Sequence, residues 1–225
     1  MTLLFLQVQH LFGKLKFGYI GDTSTSVNQK VKNKGILSIQ ENFDLERQGF
    51  LGGKLELIAS DTVSSAKAVE FTSIKETDYD VHYVTYQGMS MATVAGLQIP
   101  FYRVSNDGGS TFESSNYAST GQFNTAAGTT VKLTNQSTYG HLCGNQQGSY
   151  KWNGHAYFYN LGNSSKYSFV TYQAVGRYSA DSQPSSTFGN SAYLVAETIN
   201  ALQFMVESNT NLDEGTIKLY GVKQL

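Results

Sequence analysis

A single cysteine, Cys143, denies this 225-residue chain any internal disulfide, so the fold must rest on its core or on subunit contacts. Charged residues are also scarce at 15%, and they cancel to a formal net charge of −1. That balance offers no basic field of the kind nucleic-acid or anionic-membrane binding requires, so neither partner is expected. No apolar run reaches the roughly 18 residues of a membrane span. The opening "MTLLFLQVQHLFGK" is broken by Gln7, Gln9 and His10 and lacks both a basic lead and a small-residue cleavage site. It reads as uncleaved, without membrane insertion.

What the chain holds is aromatic and turn-forming. Fifteen tyrosines and 13 phenylalanines suit pleated, half-buried surfaces, and 22 glycines against two prolines suit many tight turns. Beyond about residue 54, short alternating or β-branched segments recur between Gly, Asn, Asp and Ser: 54–60, 68–73, 80–87, 97–105, 110–117, 129–135, 155–161, 166–175, 192–198, 201–208 and 215–222. That spacing predicts an all-β fold, a jelly-roll-like antiparallel β-sandwich over 54–225, preceded by an extended N-terminal arm over 1–53.

Three details follow from alternation. "DVHYVTYQ" (80–87) has no cleanly polar face and is expected inside a sheet, while "ALQFMVES" (201–208) commits Leu202, Phe204 and Val206 to the core. Pro100 lacks a ladder N–H, which predicts an edge or bulged strand. In the arm, "SIQENFDLERQ" (38–48) fits one or two helical turns behind Ser38, with Glu41 at the capping-box offset. Leu4, Phe5, Leu11, Phe12, Phe17 and Tyr19 are too apolar to leave in water and are expected to dock the arm on a partner.

The candidate sites are few. "RVSNDGGSTFESSNY" (103–117) gathers oxygen side chains around Asp107, but calcium loops need several carboxylates, and Asp-Gly-Gly is a turn former; a hairpin is expected. His141, Cys143 and His155 fall short of a four-ligand zinc set, so no metal or cofactor is expected. Carboxylates are scattered, and neither a nucleophile elbow nor a phosphate loop occurs, so no catalytic residues and no enzyme activity are expected. Trp152, with Tyr150, Asn153 and His155, resembles the aromatic-plus-polar composition of a sugar site; the plainer alternative is an indole capping the sandwich.

The order "GYIGDTST", "NKGILSIQENFDL", "LGGKLELIASDTVSSAKAVEFTS", "VSNDGGSTFESSNY", "INALQF" and "GTIKLYGV" resembles virion structural proteins of tailed bacteriophages of marine bacteria, tail-fibre-like or other surface components. The resemblance runs from about Lys16 to Val222 and carries no catalytic residues. It implies a location on the virion surface, with a docking segment on other phage virion proteins and an outward sandwich. A homo-oligomer, expected as a trimer, would bind host-surface glycan through repeated weak contacts. The competing expectations are a capsid decoration protein and, less favoured, a polysaccharide depolymerase.

Overall fold

The computed structural model describes residues 55–93, 96–134, 137–177 and 184–223. The expected arm, its helical turns behind Ser38, and the docking residues Leu4, Phe5, Leu11, Phe12, Phe17 and Tyr19 lie outside the described residues.

Among the described residues there are twelve strands: β1 (Leu55–Ala66), β2 (Ala68–Phe71), β3 (Val81–Met91), β4 (Pro100–Ser105), β5 (Tyr117–Thr125), β6 (Thr130–Thr134), β7 (Gly140–His141), β8 (Trp152–Tyr159), β9 (Ser168–Arg177), β10 (Pro184–Tyr193), β11 (Ala201–Val206) and β12 (Leu212–Val222). They form an eight-stranded sheet, β1-β12-β3-β8-β9-β10-β5-β6, and a four-stranded sheet, β2-β11-β4-β7. All pairings between these strands are antiparallel.

The order has an internal logic. β1 pairs with β12 in the large sheet, β2 with β11 in the small one, β3 with β8 in the large one, and β4 with β7 in the small one. A two-stranded ribbon thus passes alternately from sheet to sheet, which is the wrapping of a jelly roll. Two hairpins are inserted into it: β5–β6 between β4 and β7, and β9–β10 between β8 and β11. They meet along β5 and β10, paired continuously from Ser185↔Thr125 to Tyr193↔Tyr117, and so extend the large sheet into a wing.

The core lies between the sheets. From the large sheet come Val84, Tyr86, Phe158, Ile217 and Leu219; from the small one come Val69, Phe71, Leu202, Phe204 and Val206. The Phe158 ring bridges the layers, edge-on to Tyr102 at 5.0 Å and to Phe204 at 6.3 Å. Such edge-to-face contacts add to area burial through the ring quadrupoles. Leu202, Phe204 and Val206 are buried as alternation predicts, and β3 lies inside its sheet between β12 and β8.

Buried tyrosine hydroxyls tie the connecting segments to this core. Tyr86 donates to the Leu142 carbonyl at 2.7 Å, and Tyr117 accepts from the Val104 N–H at 2.9 Å. A polar group taken out of water needs such a partner, so each bond fixes a loop position.

Three expectations are corrected. Pro100 opens β4, which is flanked on both sides by β11 and β7; the missing N–H falls at the strand's first residue and needs no edge. Residues 110–117 do not form the second arm of a hairpin, because β4 and β5 belong to different sheets and 106–116 is the crossing between them. The strand expected at 192–198 instead runs from Pro184 to Tyr193, and β5 and β7 were unforeseen.

Candidate functional site

The two inserted hairpins place their strand ends beside the start of β8. There an outward-facing row crosses four adjacent strands, Asn153 on β8, Val175 on β9, Ser186 on β10 and Asn124 on β5, each paired in register with the next. At ~4.8 Å between strands the row spans roughly 14 Å. It floors an open groove of about 720 Å³, also lined by Lys151 and Arg177.

Beneath this floor the packing is close. A Cβ on Gly176 would stand 2.4 Å from the Gln146 side-chain oxygen and 2.8 Å from the Trp152 Cβ, so only glycine lets β9 approach its neighbours here. Val175 is 57% exposed and leaves an apolar spot among amides and hydroxyls.

The polar groups are held in place. The Asn153 side-chain oxygen accepts from the Gly88 N–H at 2.7 Å, and that of Asn124 accepts from the Thr130 hydroxyl at 3.0 Å. Each amide retains an NH2 group able to donate. The Lys151 ammonium pairs with the Glu214 carboxylate, holding that carboxyl below its ordinary range. The Arg177 guanidinium lies over the Tyr150 ring, 3.9 Å from its centre. No carboxylate, imidazole or thiol is among the described residues lining the groove. Donors, acceptors, two cations and one apolar contact suit a ligand rich in hydroxyls or carboxylates.

The four residues singled out from the sequence are thereby separated. Asn153 is in the row, and Tyr150 supports Arg177. His155 lies one outward position further along β8, 5.7 Å from the Tyr83 ring and 6.1 Å from that of Tyr157, away from the groove. Trp152 corrects the picture of an exposed indole: it is 3% exposed, packed 5.5 Å from Tyr86 in the core. Outward alternation on β8 starts at Asn153, which turns the neighbouring Trp152 inward. Arg177, Ser186 and Asn124 were missed, because they converge only through the pairing of the two inserted hairpins.

His141 and Cys143 are both buried and do not meet His155; among the described residues no group of three His, Cys, Asp or Glu could hold a metal ion. Burial pushes the Cys143 thiol up to about 12 and the His141 imidazole down to about 4. Both are neutral at ordinary pH.

Asp107 spends its carboxylate internally. It accepts from the Thr111 hydroxyl at 2.6 Å, the Thr111 N–H at 2.9 Å and the Ser105 hydroxyl at 2.7 Å, which lowers its pKa to about 2. Gly108 and Gly109, with φ of 75° and 88°, supply the left-handed backbone of that turn.

Fold and groove together define a class: a jelly-roll sandwich with a lateral wing and an open polar cleft at the junction. Comparison adds no relative, since no family model, curated protein or solved structure matches the chain.

Proposed function

We propose that this chain is a structural component of a tailed-phage virion, tail-fibre-like or tail-associated, whose sandwich holds host-surface glycan in the groove above β5, β8, β9 and β10. The resemblance over about Lys16 to Val222 supports the virion assignment. The observation that carries the glycan reading is the in-register row Asn153–Val175–Ser186–Asn124 with Lys151 and Arg177 beside it. Amides, a hydroxyl and an apolar spot match the mixed surface of a sugar ring, and the Arg177 guanidinium, with Lys151 paired to Glu214 beside it, favours uronate-bearing polymers. Single grooves of this openness bind weakly; several copies on a particle convert weak contacts into firm attachment by effective concentration.

The test uses the full chain on a glycan array and on an immobilised polyuronate, with an uncharged glucan as comparison. Arg177→Ala and Asn153→Ala should each weaken retention by about tenfold, a loss of ~1.4 kcal/mol. Retention on the polyuronate should exceed that on the glucan. A folded double variant that still binds as the parent does would overturn the site. Labelling the chain on intact particles would separate tail from capsid.

A further inference from the structure

The outward face of the jelly-roll half of the large sheet has a character unlike the groove. Leu57, Tyr220, Tyr83 and Tyr157 form one in-register row across β1, β12, β3 and β8. Leu55, Val222, Val81 and Tyr159 stand beside it on the same face of those strands. The Tyr83 ring contacts Tyr157 at 4.6 Å and Tyr220 at 6.1 Å, so the rings form a continuous layer. Leu55 and Leu57 are 44% and 53% exposed, and Phe169, which pairs with Tyr159, is 47% exposed.

We propose that this face is a self-association surface, covered in the assembled protein by a second copy of the same chain. Three observations favour that occupant. First, the face is nearly uncharged: none of these eight positions carries an ionised side chain, Lys218 lies further along β12, and Glu56 pairs with Lys75 and Lys223. Two copies of such a face meet without like charges opposing each other, whereas the solvated face of an antiparallel sheet is ordinarily polar. Second, the four strands share a run no longer than the 8 residues of β8, which at ~4.8 Å between strands and ~3.3 Å per residue gives a face on the order of 500 Å². Two such faces would bury about 1,000 Å² in total, the size of a weak, concentration-dependent interface. Third, rings and aliphatic side chains lie side by side on the face, Tyr83, Tyr157, Tyr159 and Tyr220 next to Leu55, Leu57, Val81 and Val222, so a second copy turned about a two-fold axis can lay its rings on these aliphatics. Ser60, Thr62, Thr85 and Lys218, further along the strands, give the apolar end of the face a polar border.

The surface stands independently of the glycan reading, since a self-associating jelly roll serves any role on a particle. The experiment is sedimentation velocity of the full chain over a dilution series, comparing wild type with Leu57→Lys and with Phe188→Lys. Phe188 is equally outward, 47% exposed, but lies on β10 in the wing. Wild type and Phe188→Lys should sediment as more than one chain, and Leu57→Lys should need at least about tenfold higher concentration to associate. Hydroxyl-radical footprinting of wild type supplies a reading that needs no variant: Leu57, Tyr157 and Tyr220 should become labelled on dilution, while Phe188 is labelled throughout. A wild type that stays monomeric overturns the proposal, as does Leu57→Lys associating like wild type. Protection of the three residues at every dilution also overturns it, since their cover would then come from the same chain. Glycan retention by a monomeric Leu57→Lys would leave the groove reading standing.

Discussion

The wrapped ribbon and the wing share one sheet yet are built from different chemistry. In the ribbon, inward positions are Val84, Tyr86, Phe158, Ile217 and Leu219, which meet the small sheet in one apolar cluster. In the wing, inward positions mix the buried hydroxyls of Ser119, Thr125, Ser185, Thr187 and Ser191 with Tyr117, Val170, Tyr172 and Tyr193, which join that cluster, and with Phe123 and Leu133. Three of those hydroxyls are bonded: Thr187 accepts from the Gly144 N–H at 2.9 Å, Ser191 bonds the Tyr102 hydroxyl at 2.9 Å, and Thr125 accepts from the Thr129 N–H at 3.3 Å. The ribbon therefore gains stability chiefly from apolar burial, while the wing adds specific polar contacts to its own apolar share. A region fastened that way can hold a polar cleft at its border without exposing the core.

Truncating one phenylalanine in each region tests this most severely. Phe158 and Phe123 are both fully buried, but only Phe158 belongs to the central cluster; the Phe123 ring lies against Gly144. Phe158→Ala should cost about 3–5 kcal/mol of global stability, read by chemical denaturation. Phe123→Ala should cost about 3 kcal/mol, expressed mainly as faster amide exchange in β5, β6 and β10 ahead of the global transition. If both variants raised exchange equally in every strand, ribbon and wing would be one cooperative unit and the distinction would fail.

The difference also accounts for what was legible in the sequence. Most ribbon strands were visible, because β1, β11 and β12 alternate aliphatic or aromatic residues with polar ones and β3 is rich in aromatic and β-branched residues. Much of the wing was not. "YASTGQFNT" and "PSSTFGNSAY" carry Ser and Thr on their buried faces as well as outside, so the period-two signal vanishes and the turn-forming composition misleads. β7 has only two residues, too short for any pattern. The groove was half legible: Asn153 and Tyr150 stood out beside the lone Trp152, but Arg177, Ser186 and Asn124 join them only through the β5–β10 pairing. The outward tyrosines were in plain view in β3 and β8, yet nothing local says that β12 lies beside them.

His141 probes the place where the chain returns from wing to ribbon. It is 1% exposed on β7, its ring 5.6 Å from that of Tyr139, and burial lowers its pKa from 6.5 to about 4. The unfolded chain therefore binds this proton more readily than the native one, so stability falls as pH drops from about 6.5 to about 4 and levels off below. The full contribution is on the order of 3 kcal/mol. His141→Leu should flatten that part of the stability–pH curve, as measured by urea midpoints at several pH values. An unchanged slope in the variant would assign the acid sensitivity elsewhere, for instance to His82, whose pKa burial also lowers.

The smallest effect is expected where the chain leaves the ribbon for the wing. Asp107 closes the turn that starts the 106–116 crossing, through Thr111 and Ser105, and is itself exposed. Its depressed pKa means that the native state favours the carboxylate, so the turn's contribution is complete above about 3.8 and is lost as pH falls through about 2. Asp107→Ala removes the acceptors of the Thr111 N–H and hydroxyl while leaving the neighbouring bond from the Gly109 N–H to the Ser105 hydroxyl, 3.0 Å long. Exchange of the Thr111 amide should therefore quicken by about tenfold without a matching change in β4 or β5. Were β5 to loosen together with Thr111, the wing would depend on this crossing for its attachment, and its own contacts to Gly144 and Tyr102 would be secondary.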